Sequence, residues 1–280
     1  MYVLKLHCDD KPGIVAAVAG CLAANDCNID ESAQFNDPLS GQFFMRVVFS
    51  VTREQACRDF QRSFTSIVTN YAMRYEIHDL RVPVKTLLLV SKADHCLNDL
   101  LYRYRKGDLP VEITSVVSNH ETCRKLAEDH GLTFHYLPLR DALEKPAQEA
   151  ALREIIAAEA VDLIVLARYM QVLSESLSYD YAGRIINIHH SFLPGFKGAQ
   201  PYRQAYERGV KLIGATAHFV NEDLDEGPII EQEVARVTHS DSAQQMQTMG
   251  RDIESRVLAR AVKLYAQSRI FLHDSRTVIL

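Results

Sequence analysis

A two-part α/β fold is what this 280-residue chain predicts: a ferredoxin-like βαββαβ segment, then a doubly wound, mostly parallel sheet. Three patterns carry that expectation. Over residues 1–80 the strand and helix signals alternate in the order βαββαβ. From residue 84 onward, short apolar runs alternate with stretches of helical periodicity, which is how βαβ units and a parallel sheet read. Between them the only short punctuation is Arg81 to Pro83, so the boundary falls there, giving domains 1–82 and 83–280.

In the first part, residues 2–8 alternate as a strand. A turn at 9–13 carries Pro12 into the first turn of a helix over 14–24. Asn25 to Asn28 breaks that helix, and strands follow at 29–35 and 42–51. The loop 36–41 joins them as a hairpin. A helix over 53–69 and a strand over 71–80 complete the unit.

In the second part, strands are expected at 84–91, 111–118, 133–137, 161–167 and 184–189, with helices at 96–105, 121–130 and 147–159 between them. A helix at 201–208 precedes strands at 212–220 and 228–237, which a tight loop joins in antiparallel fashion. A long helix over about 242–267 closes the domain.

Composition narrows the function classes. A hydrophobic content of 47% supports a sizeable buried core, and a net charge of -5 gives no reason to expect nucleic acid. The longest apolar runs, such as 86–90 and 163–167, are too short to span a membrane. The N-terminus alternates like a strand and lacks a small-residue cleavage site, so no signal peptide is expected. Cys8, Cys21, Cys27, Cys57, Cys96 and Cys123 show no Cys-x-x-Cys spacing and read as free thiols of a reducing cytoplasm.

The chemistry concentrates where the strand at 184–189 gives way to a loop ended by Pro194. Asn187 and His189 lie two apart and so share a face of that strand, while Ile186 and Ile188 face the other way. Ligands of open α/β sheets bind at such carboxyl ends. Asp225 lies downstream, just before a Glu-Gly-Pro turn. A carboxamide donor, an imidazole and a carboxylate suit acyl transfer, with no metal implied, because adjacent His189 and His190 face opposite ways and chelate together poorly. The alternation leaves His190 for packing or for a hydrogen bond behind His189. The loop 91–95 has no glycine to admit phosphates, so NAD, FAD and ATP are not expected.

The run Asn187-x-His189 followed by Ser191-x-Leu193-Pro194, with Asp225 before Gly227 and Pro228, resembles the folate-dependent formyltransferase superfamily. The whole chain is most similar to its formyltetrahydrofolate deformylase branch. That branch shares Ser91, Lys92, His95 to Leu97 and the Leu100 to Arg103 stretch where the transformylases have a Gly-rich phosphate loop. The resemblance implies hydrolysis of 10-formyltetrahydrofolate by water to tetrahydrofolate and formate. That reaction balances the one-carbon folate pool and supplies formate for purine synthesis.

It also implies a catalytic trio of Asn187, His189 and Asp225, and no cofactor, the folate being the substrate. Met170, Gln171, Val172 and Leu173, with Asp223 and Gly227, would line the pteridine pocket. Residues 197–201 would border the site's mouth, and His218 would stand behind it. The alternatives are a formyltransferase with an amine acceptor and an amino-acid-sensing regulator with a dead enzyme fold. Asp10-x-Pro12-Gly13-Ile14 and Asn28-Ile29 resemble an ACT domain. This implies a small amino-acid effector such as glycine or methionine near Asp10, Gly13 and Asn28, and a homo-oligomer, a tetramer or dimer of dimers.

Overall fold

The computed structural model describes residues 1–53, 55–193 and 201–280. The chain divides into two compact units. The first comprises Met1–Val82 with Gln267–Phe271 and Val278–Leu280; the second comprises Pro83–Ala266 with Leu272–Thr277.

Unit 1 is a four-stranded antiparallel sheet with two helices. Its elements are β1 (Tyr2–Asp9), α1 (Ile14–Ala24), β2 (Cys27–Asp37), β3 (Gln42–Val51), α2 (Ala56–Tyr71) and β4 (Arg74–Asp79). The strand order is β2-β3-β1-β4. Strand alternation builds the core: Leu4, Leu6 and Cys8 of β1 and Phe43, Met45, Val47 and Phe49 of β3 pack with Ile14, Val18, Phe60 and Phe64. Helix α2 runs past the expected end at 69 to Tyr71. It stops where Ala72 turns left-handed (φ 51°), with Met73 N–H returning to Val68 O at 3.0 Å. No glycine marks this helix end, so the sequence carries no visible stop signal.

One expectation needs correction. The second domain does not hold every residue to 280. Phe44 and Arg46 lie on the face of β3 opposite the helices, yet both are buried. Arg46 donates to Gln267 O (3.0 Å) and Glu31 Oε1 (2.9 Å), Arg269 donates to the same Glu31 oxygen, and Phe44 meets the Phe271 ring edge-on. A sheet buried on both faces needs a second cover, and residues 267–271 and 278–280 supply part of it.

Unit 2 contains β5 (Val84–Val90), α3 (His95–Lys106), β6 (Val111–Ser118), α4 (Arg124–Glu128), β7 (Thr133–Tyr136), α5 (Lys145–Ala158) and β8 (Leu163–Leu166). After these come α6 (Glu175–Asp180), β9 (Ile185–His189), α7 (Pro201–Glu207), β10 (Leu212–Phe219), β11 (Ile229–Arg236) and α8 (Ala243–Ala266). Seven strands form one sheet in the order β11-β10-β9-β8-β5-β6-β7. β5 to β9 are parallel, whereas β10 runs antiparallel to both β9 and β11. Leu87, Leu89, Val117, Ile164, Leu166 and Ile185 fill the core on one side. A final two-stranded sheet, β12 (Ile270–His273) with β13 (Arg276–Ile279), follows α8; the sequence reading ended on the long helix and lacked it. Among the described residues no helix is long and apolar enough to cross a membrane.

Candidate active site

The register of two strands builds the site. β9 and β10 pair Asn187 with His218 and His189 with Thr216. Thr216 Oγ1 donates to Ser191 O (3.0 Å) and accepts from Leu193 N–H (3.1 Å) and Gln232 Nε2 (2.9 Å), which pins the chain as it leaves His189. Asp225 comes from the loop between β10 and β11 in a left-handed conformation (φ 59°), one that Asp tolerates better than most residues. At Gly227 a Cβ would stand 1.7 Å from Phe219 O. Only glycine lets the Asp225 loop fold back so closely.

The three sequence-expected residues Asn187, His189 and Asp225 are thereby brought together. His189 Nδ1 lies 3.1 Å from Asp225 Oδ2, and His218 Nε2 lies 3.8 Å from Asp225 Oδ1. His189 is 4% exposed, and its Nε2 is buried with no hydrogen-bond partner among the described residues. A carboxylate at Nδ1 makes that nitrogen the donor and leaves the Nε2 lone pair directed at whatever enters the site. Burial alone would raise the Asp225 pKa. The His189 hydrogen bond and the nearby imidazoles outweigh that and hold it below the ordinary carboxylate value.

His218 fixes the third group. Its Nδ1 is 2.9 Å from Phe219 O, which can only accept, so Nδ1 carries the proton. Burial pushes this imidazole's pKa down and keeps it neutral, so Nε2 is an acceptor. The Asn187 amide nitrogen, 3.2 Å away, donates to it. The carboxamide's orientation follows, and the second N–H of Asn187 makes no hydrogen bond among the described residues. The sequence alone places His218 behind the site and carries no sign of this orienting contact.

His190 packs beside His189, ring centroids 5.1 Å apart, and 6.4 Å from Tyr202. Burial, with the Arg168 charge and His189, pushes its pKa down to about 4. The expected pocket wall follows β8, the strand next to β9. Met170 and Val172 are 58% and 59% exposed there, Gln171 is half-buried, and Leu173 packs against the core. Met170 N–H is held by Ser91 Oγ (2.9 Å), and Val172 O accepts from Lys145 Nζ. Asp223 is exposed in the Asp225 loop, with its carbonyl accepting from Glu226 N–H. Gly227 is buried and serves the close approach just described. Of the stretch 197–201, residues 197–200 lie outside the described residues.

The expected effector residues are in unit 1, where Asp10 and Asn28 each make one exposed side-chain hydrogen bond. Asp10 Oδ2 accepts from Asn36 (2.7 Å), and Asn28 donates to Asp30 (2.8 Å). Gly13 caps α1 at φ 93° with no side-chain cap on the helix N-terminus. Among the described residues one group, His95, Cys96 and Glu254, brings potential metal-ligand atoms within 4.8 Å of one another.

Residues 84–262 match the formyl transferase family. The formyltetrahydrofolate deformylase of Corynebacterium sp. (strain P-1) is 46% identical over 280 residues, covering 100% of this chain and 98% of its own. The chain belongs to the formyltetrahydrofolate deformylase family. The Bacillus subtilis (strain 168) deformylase is 44% identical over 279 residues, covering 99% of this chain and 92% of its own. The crystal structure of the deformylase from Burkholderia mallei ATCC 23344 superposes with a TM-score of 0.93 at 49% identity, covering 100% of this chain and 99% of that one. Family membership extends over both units.

Proposed function

We propose that the protein hydrolyses 10-formyltetrahydrofolate to tetrahydrofolate and formate, with Asn187, His189 and Asp225 as the catalytic residues. The observation that carries this reading is the buried Nε2 of His189, unpartnered among the described residues, with Asp225 at the ring's other nitrogen and a donor-oriented Asn187 on the same strand face. Deformylase family membership supplies the substrate class. It favours water over an amine as the formyl acceptor.

The reaction is acyl transfer to water. His189 Nε2 takes a proton as water oxygen adds to the formyl carbon, a role typically worth about a hundredfold to ten-thousandfold. The second Asn187 N–H donates to the carbonyl oxygen as it becomes an oxyanion, typically worth about a hundredfold to a thousandfold. Asp225 orients the imidazole and stabilises its protonated form. The proton then passes to the folate nitrogen, the carbon–nitrogen bond breaks, and formate leaves. Met170, Gln171, Val172 and Leu173, with Asp223, line the approach for the pteridine. The folate is substrate, and the scheme uses no further cofactor.

Around this reaction we place an ACT-like role for unit 1, with glycine or methionine as effector near Asp10, Gly13 and Asn28, in a homo-oligomer. The six free, buried cysteines suit a reducing cytoplasm. The deciding assay gives purified protein 10-formyltetrahydrofolate and no amine. Catalytic, equimolar tetrahydrofolate and formate are expected; no release in the absence of an amine would reject the hydrolytic reading.

A further inference from the structure

The loop from β8 to α6 turns apolar side chains in two directions. Tyr169 and Leu173 pack inward against the core, while Met170 and Val172 are more than half exposed. Side chains left in water supply no burial to fix the loop between them, so its polar anchors decide where it stands. Ser91 Oγ holds the near end through Met170 N–H (2.9 Å).

Helix α5 holds the far end. Lys145, Glu149 and Arg153 are four residues apart and form one stripe along the helix. Three successive turns meet the chain after β8 in matching order. Lys145 Nζ donates to Val172 O. Glu149 Oε1 accepts from Ser174 N–H at 2.8 Å, and its Oε2 accepts from the Ser174 hydroxyl. Arg153 donates to Ser176 Oγ at 3.3 Å and to Asp180 Oδ2 at 2.6 Å. Lys145 Nζ also stands 3.7 Å from Glu149 Oε1, which ties the first two rungs together.

Glu149 is buried although it lies in the stripe of a helix that charged residues usually give to solvent. A buried carboxylate is costly unless donors surround it, and Ser174 and Lys145 supply them. The Ser174 hydroxyl also accepts from Leu177 N–H at 3.2 Å as the N-cap of α6. One carboxylate therefore sets both where the loop ends and where the next helix begins.

We infer that Lys145 and Glu149 are positioning residues for the folate, holding residues 170–173 from behind in the conformation that receives the pteridine. The assignment deepens the proposed function and rests on the pteridine wall named there. Arg153, the third rung, holds α6 beyond the wall and serves stability alone. A wall in place only part of the time weakens apparent affinity by that fraction. The pteridine is held alike before and during the reaction, so the loss enters KM rather than kcat.

The test follows hydrolysis of 10-formyltetrahydrofolate, calorimetric binding of tetrahydrofolate and thermal melting on the full chain. Glu149→Ala should raise KM and the tetrahydrofolate Kd about tenfold to thirtyfold with kcat within about threefold, and Lys145→Met should raise both about threefold to tenfold. Glu149→Gln keeps an acceptor for Ser174 N–H and should return KM to within about threefold of wild type. Arg153→Met should lower the melting temperature and leave KM unchanged. A folded Glu149→Ala with unchanged KM, a loss confined to kcat, or an equal KM rise in Arg153→Met overturns the inference. If Glu149→Ala does not fold, Lys145→Met decides: a raised KM supports the positioning role and an unchanged one rejects it. Val172→Ser tests the wall itself. An unchanged KM there sinks the wall and the positioning role together, whereas a rise there without one in Glu149→Ala sinks the positioning role alone. If wild type binds tetrahydrofolate without hydrolysing the formyl donor, the hydrolytic reading fails and the same ratios of Kd judge Lys145 and Glu149.

Discussion

Asn187 Nδ2 lies 3.2 Å from His218 Nε2, and the other nitrogen of that imidazole is spent on the Phe219 carbonyl. The pair fixes which end of the carboxamide is a donor. Replacing His218 by Phe keeps a ring but removes the acceptor. We expect kcat to fall about tenfold to a hundredfold with KM little changed, less than the hundredfold to thousandfold loss of a missing donor in Asn187→Ala. His218→Gln, which can still accept, should recover part of the rate. Equal rates for the Phe and Gln variants would remove the orienting role.

Asp225→Asn is the sharpest test of the trio, because Asn also tolerates the left-handed backbone at this position. The fold should survive with an unchanged melting temperature within a few degrees. Turnover should drop about a hundredfold to ten-thousandfold, since an amide neither orients nor stabilises a protonated His189 as a carboxylate does. Near-normal turnover would take Asp225 out of the mechanism.

Acid sensitivity follows from His190. An unfolded histidine titrates near 6.5, whereas burial beside Arg168 puts His190 at about 4. Between those values the unfolded chain binds a proton that the folded chain refuses. This contribution is complete above pH 6.5 and disappears as pH falls toward 4, for a total of order 3 kcal/mol. His218 acts in the same sense. Asp225 contributes stability above its ordinary value of 3.8 that is lost at still lower pH. His190→Phe should flatten the melting temperature against pH between 6.5 and 4; an unchanged slope would assign the acid loss elsewhere.

Gly227→Ala should damage fold and rate together. The added methyl has nowhere to go but into the Phe219 carbonyl, which is backbone and also the group that sets the His218 tautomer. A cost of about 2–3 kcal/mol or more is expected in urea unfolding. A variant of wild-type stability would show that the Asp225 loop can move away freely.

Much of this was legible in the sequence because it depends on period and on neighbours in the chain. The two-residue spacing of Asn187 and His189 survives as a shared strand face, and the apolar runs at 84–90 and 163–166 became central parallel strands. What escaped depends on contacts without local pattern. Glu254 lies in a long amphipathic helix where a charged residue ordinarily means solvent, and it becomes intelligible only with His95, Arg168 and Tyr202 around it. Arg46 was hidden in an apolar strand for the same reason, one of its partners, Gln267, being more than two hundred residues away.

Arg46 offers a separate test of unit 1. Its guanidinium is 3% exposed and serves both Gln267 O and Glu31. Arg46→Met should lower stability by about 2–4 kcal/mol, because a buried carbonyl and a carboxylate each lose a donor. A loss below about 0.5 kcal/mol would show that Arg269 alone suffices.

Residues 267–271 and 278–280 complete a unit that begins at Met1. On the ribosome, the first strands emerge long before their last packing partners. Elongation at about 5–20 residues per second leaves the far face of β3 waiting for roughly ten seconds or more. During that interval Phe44 and Arg46 lack their distant partners, and they are a surface that a chaperone could cover. Synthesis order therefore delays the N-terminal unit, which starts first, until residues 267–271 and 278–280 have been made.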